Sequence, residues 1–140
     1  MKIKKITKAE VEYLSYRLAR EMLAFNEPIP DFSTRYPNVL ERCLLAPFQT
    51  FGKKFLYKGL AAKASILFYT MIKNHPFQNG NKRIALTTLI VFLYFNKKWL
   101  SIGVDKLYEL TMSIAQSPSG SKDKVMKNIE NIIKTNLRVL

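Results

Sequence analysis

A chain of 140 residues with 48% hydrophobic content is long enough to bury one core and too short for two ordinary domains, so residues 1–140 are expected to form a single domain. The net charge of +13 favours acidic partners or polyanions, and the lone Cys43 excludes an intrachain disulfide or a thiolate metal cluster. No run approaches the roughly 18 uncharged apolar residues of a membrane span, and the basic N-terminus leads into Lys8, Glu10 and Glu12 instead of an apolar signal stretch, so a soluble cytoplasmic protein with no membrane contact is expected.

Thr7 and Glu10 have capping-box spacing, and Val11, Leu14, Leu18 and Met22 recur at helical intervals, which predicts a first helix over residues 8–25 stopped by Pro28 and Pro30. A short second helix fits residues 38–46 and is closed by Pro47, with Cys43 as a core residue among Leu44, Leu45 and Ala46. Residues 47–55 mix Phe48, Thr50, Phe51 and Phe55 with Gly52 and Lys53-Lys54, the pattern of a short hairpin or flap and the only plausible strand pairing. Leu60, Ala64, Leu67, Phe68 and Met71 keep one face apolar up to Asn74, and Leu86, Leu89, Ile90 and Leu93 do so again, so these two helices should form the core. Residues 97–103 break the periodicity and read as a connector. Leu107, Leu110 and Ile114 then mark another helix, residues 118–121 a turn, and Val125, Ile129 and Ile132 a last helix. The sum is an all-α domain of about six helices with one flap.

Between the two core helices stands His75-Pro-Phe-Gln-Asn-Gly-Asn-Lys-Arg83. A histidine is able to accept a proton at cellular pH, and His75 is the only one in the chain. Asn79-Gly80 is a turn signal, and turn formers at a helix start make N–H groups converge on an anion. Lys82 offers a compact charge and Arg83 a planar fork for two phosphate oxygens. A plainer reading makes this a helix-turn-helix joint, with His75 closing one helix, Asn81 capping the next and both cations solvated. Two cations in a first helical turn oppose the macrodipole by about 0.3–1 kcal/mol each, which calls for an anion beside them. The other cations are spread over the chain without a basic block, so nucleic acid is a possible partner but not the favoured one.

The segment resembles the Fic/Doc proteins, whose pattern His-x-Phe-x-Asp/Glu-Gly-Asn-Gly-Arg is matched at His75, Phe77, Gly80, Asn81 and Arg83. Lys82 stands where AMP-transferring members carry a second glycine, and Asn81-Lys82-Arg83 is similar to the death-on-curing (Doc) toxin branch. Asn79 stands where most members carry an acid that helps to hold magnesium. The likeness extends upstream through residues 47–52, Leu56-Tyr57, Lys63-Ala64 and Lys73-Asn74, and downstream to about Asn96.

The resemblance implies a Fic fold, an orthogonal helical bundle with a β-hairpin flap before the motif. It implies ATP and Mg2+ as cofactors, with Asn79 a weakened metal ligand. His75 would take the proton of a protein hydroxyl, Gly80 and Asn81 would cradle phosphate oxygens, and Lys82 and Arg83 would stabilise phosphate charge. Phe77 would anchor the loop, and Gln49, Thr50, Phe51, Gly52 and Lys53 would dock the target by strand addition. In Doc toxins γ-phosphate moves from ATP to a threonine of translation factor EF-Tu, arresting translation. The alternatives are a Fic-type AMP-transferase and an inactive basic module that binds nucleic acid or a partner protein. No glutamate here has Ser or Thr four residues before it, as the family's inhibitory helix requires, so inhibition is expected from a separate Phd-like antitoxin, an acidic one given the charge of +13.

Overall fold

Helix α1 opens where Thr7 Oγ1 accepts the Glu10 N–H at 3.2 Å and Glu10 Oε1 accepts the Thr7 N–H at 2.9 Å, the expected capping box. In the computed structural model, which describes residues 2–22 and 29–140, α1 comprises Lys8–Glu10, a π-helical stretch Val11–Tyr16, and Arg17–Met22. The wider π turn rotates the inward face. Val11, Ser15, Tyr16 and Ala19 are buried, whereas Leu14 and Leu18, expected inside, are 40% and 37% exposed. The expected end of this helix at residue 25 and its stop at Pro28 lie outside the described residues.

Helix α2, Pro37–Leu45, starts on the proline because a first helical position needs no N–H. Pro47 lies just past the end of the α-helix, as expected. It sits in a 3-10 turn, Ala46–Phe48, that continues from α2, in an opening position where its missing N–H costs nothing. The flap is a hairpin of β1, Thr50–Phe51, and β2, Lys54–Phe55, with Thr50 opposite Phe55. Gly52 and Lys53 both have positive φ, 58° and 66°, as a two-residue hairpin turn twisted with its strands requires.

Helices α3, Gly59–Lys73, and α4, Asn81–Phe95, form the centre, as their apolar faces predict. Leu67, Phe68 and Met71 of one meet Leu89, Phe92 and Leu93 of the other in a single buried cluster. α1 packs on α4, and Thr87 Oγ1 donates to Ser15 O at 2.7 Å across that contact. Helix α5, Val104–Gln116, buries Leu107, Leu110 and Ile114 as expected. Helix α6, Lys122–Asn136, packs on α3 through Ile129 and Ile133, with Ile132 only partly covered.

The segment expected as a connector contains a strand. β3, Lys98–Leu100, pairs antiparallel with β4, Leu137–Val139, with Trp99 opposite Arg138. The flap is therefore not the only strand pairing. Three-residue strands carry little periodicity, and these partners meet only after α5 and α6 have brought the chain back. The fold is all-α, with six helices and two small two-stranded sheets among the described residues. Among the described residues no helix is long and apolar enough to cross a membrane.

Lys63 fixes the flap to this core. Its side chain is 2% exposed, Nζ donates to Tyr57 O, and the ammonium lies 3.9 Å from the Phe55 ring centroid and 5.7 Å from that of Phe48. Burial pushes its pKa down, because the charged form loses water. A base whose folded pKa is depressed lowers stability while charged, and that cost disappears as pH rises through the depressed value toward about 10.4. Wild-type protein should therefore gain stability relative to Lys63→Met as pH rises from neutral to about 10.4, read as the difference between two urea unfolding curves. Burial raises the pKa of Cys43, Tyr16 and Tyr69, but these groups are common to both chains and cancel in the difference. A difference independent of pH would contradict the assignment.

Candidate functional site

The motif loop is held at both ends by left-handed backbone. After α3 ends at Lys73, with Asn74 as its C-cap, His75 takes φ 51°, a position that usually selects glycine. A side chain there costs about 1–2 kcal/mol, so the surroundings must hold it. Pro76 follows, and its carbonyl accepts the Tyr36 N–H at 2.8 Å, tying the loop to the segment before α2. Gly80 caps α4 with φ 76°, and a Cβ there would lie 2.8 Å from Ile29 Cγ1. Gly80 is thus required by conformation and by space.

Asn81 closes the loop on itself. Its Oδ1 accepts the Phe77 N–H at 2.9 Å and its Nδ2 donates to Phe77 O at 2.8 Å. These two bonds set the orientation of the amide and turn its N–H edge toward His75 Nδ1, at 3.5 Å. The Asn81 side chain is engaged with the loop backbone on this side. Gly80, not Asn81, is the N-cap, so the plain joint reading misplaces the cap. Phe77 is 3% exposed and packs its ring 6.1 Å from Tyr16 and 5.8 Å from Phe32.

His75, Gln78, Asn79, Gly80, Asn81, Lys82 and Arg83 line one cleft of about 480 Å³ with Ile72 and Lys73 of α3. Lys73 Nζ donates to Ser117 O at 2.6 Å, just beyond α5. The opposite wall comes from α5, through Tyr108, Met112 and Ala115. Sequence reasoning missed these three. Their spacing marks a second stripe on α5 beside the core stripe, but nothing local says that it faces the motif. A larger groove of about 940 Å³ between α5 and α6 contains no motif residue.

The residues expected to dock a target do not line this cleft. Gln49 accepts the Leu56 N–H at 3.0 Å, and Thr50, Phe51, Gly52 and Lys53 form the exposed hairpin at the other end of α3. That helix spans about 21 Å by its rise. Phe51 at the flap tip is 80% exposed.

A Fic/DOC family model matches residues 5–93, more than half of the chain. The chain belongs to the Fic/DOC family. Its all-α architecture with a flap is the Fic fold, and the family is one of protein-modifying transferases. No curated protein and no solved structure matches the chain.

The donor set does not suit a resident Mg2+ ion. This ion takes oxygen ligands and is commonly held by one or two carboxylates with substrate phosphates. Among the described residues the cleft of this Fic/DOC protein has no carboxylate, and no group of three His, Cys, Asp or Glu could hold a metal. Asn79 contributes one neutral amide.

Asn81→Ala strands both Phe77 backbone groups and should lower the unfolding free energy by about 1–3 kcal/mol. Phe77→Ala should lower it by about 3–5 kcal/mol. Urea denaturation gives both numbers. Hydrogen exchange should show the Asn81→Ala loss concentrated at residues 75–81, and uniform loss of protection would contradict the loop role.

Proposed function

We propose that this Fic/DOC protein is a Doc-like toxin that transfers the γ-phosphate of ATP to a Ser or Thr hydroxyl of a protein, with translation factor EF-Tu the expected target. The observation that carries the reading is the composition of the cleft. A histidine, the N-terminal end of α4 and the cations Lys73, Lys82 and Arg83 line one cleft together with the apolar surface of Tyr108 and Met112. A nucleotide has this division of character, with a polyanionic chain at one end and a flat ring at the other.

The transfer is positioning and charge stabilisation more than covalent chemistry. His75 in its neutral form accepts the proton of the attacking hydroxyl. The hydroxyl oxygen forms a bond to the γ-phosphorus, the bond from that phosphorus to the β,γ-bridging oxygen breaks, and ADP leaves with the electron pair. Lys82 and Arg83, with the N–H groups at the start of α4, stabilise the negative charge that gathers on the phosphate oxygens. Asn81 and Phe77 act earlier, by fixing the loop that carries His75. A side chain at Lys82, where AMP-transferring members have glycine, supports phosphate transfer over AMP transfer.

Phe51 with Lys53 and Lys54 on the exposed flap supports a docking role for an extended target segment. The net charge of +13 supports an acidic antitoxin supplied by a separate chain.

Incubation of the protein and of His75→Ala with bacterial lysate and ATP labelled at the γ- or the α-phosphate tests the reading. Label from γ alone, reduced at least about 100-fold in His75→Ala, is expected. Label from α would make the protein an AMP-transferase. Absence of His75-dependent label, with salt-sensitive binding to nucleic acid, would leave only a binding module.

A further inference from the structure

All ten carboxylate side chains of this protein lie outside residues 42–104, a stretch that includes the flap, α3, the motif, α4 and β3 and that carries ten Lys or Arg residues. The motif side of the cleft is therefore built from acid-free chain. Helix α5 does carry carboxylates, but Asp105 and Glu109 line the larger groove, and the α5 residues that line the cleft are Tyr108, Met112 and Ala115. Among the described residues no carboxylate lines the cleft.

Two lysines remain to be explained. Lys82 lies exposed in the first turn of α4, where its charge opposes the helix dipole unless an anion sits beside it. Lys73 spends one of its three donors on Ser117 O, at 2.6 Å, which steadies the ammonium at the cleft and leaves two donors. A divalent cation placed between these ammonium groups and the phosphates would be repelled by both, and it would compete with them for the same oxygens.

We propose that this protein binds its nucleotide in the metal-free form, with Lys73, Lys82 and the N–H groups of α4 neutralising the polyphosphate that a protein-bound divalent cation would otherwise neutralise. The proposal rests on the nucleotide reading above and names the charge state of the ligand. Metal-free triphosphate presents more negative charge to these cations than the magnesium complex does, so added Mg2+ does not raise affinity. Asn79 is compatible with this arrangement because a neutral amide neither attracts a cation nor repels phosphate. An aspartate in its place would add a carboxylate beside the phosphates and reverse the preference.

Calorimetric titration of the full chain with ATP, in chelator and in excess Mg2+ at matched ionic strength, tests this without relying on turnover. The wild-type protein should bind ATP as tightly in chelator as in Mg2+, or more tightly. Lys82→Ala should lose about tenfold in chelator, the size of one charge-assisted hydrogen bond. Asn79→Asp should bind more tightly with Mg2+ than without it. Wild-type affinity that falls about tenfold or more on chelation overturns the proposal and leaves the nucleotide reading intact. Identical metal responses of wild type and Asn79→Asp overturn it as well. Absence of binding in both buffers overturns it together with the nucleotide reading.

Discussion

The pairing of one side-chain amide with both backbone groups of Phe77 is the constraint on which the candidate site depends. Asn81 belongs to α4 and Phe77 to the loop, so the two bonds at 2.9 and 2.8 Å fasten the loop to the start of the helix that it precedes. With the loop closed, Phe77 is delivered into the cluster of Tyr16 and Phe32, and His75 is held in left-handed backbone at the end of α3. Gly80 makes the closure possible, because a Cβ would collide with Ile29. The strained histidine is thus supported by contacts from α1, from the segment before α2 and from α4, and stability of the fold and geometry of the site share the same few bonds.

Electrostatics divides the molecule along the chain. The acid-free stretch of residues 42–104 forms the flap, both central helices and the motif, while the carboxylates sit before it and in α5 and α6. Within the stretch the cations have different fates. Lys63 is buried against Phe55 and holds the flap, Lys73 is tied to Ser117, and Lys82 is exposed at the cleft. One charge therefore serves packing, one joins packing to the site, and one stands exposed at the cleft.

Much of the site was legible because it is contiguous. His75, Asn79, Gly80, Lys82 and Arg83 fall within nine residues of a turn, so their neighbourhood follows from local geometry, and the cleft collects all of them. The long helices were legible for the same reason, since their apolar periodicity survives in any packing. The register of α1 was not. The π-helical stretch at Val11–Tyr16 moved Leu14 and Leu18 outward and put Ser15 and Ala19 inside, an adjustment that hydrophobic spacing does not encode.

The amino-acid sequence by itself determined the helical class, the capping box at Thr7, the hairpin at Gly52-Lys53 and the chemistry gathered in the motif, because each rests on interactions between residues a few positions apart. Only the tertiary structure decided what the motif faces. Tyr108 and Met112 reach the cleft, Asp105 and Glu109 line the larger groove, β3 finds β4, and the Asn81 amide pairs with the loop backbone. The first three depend on how distant helices are rotated against one another, and the last on a choice between partners for one amide. Neither leaves a periodic mark in the chain.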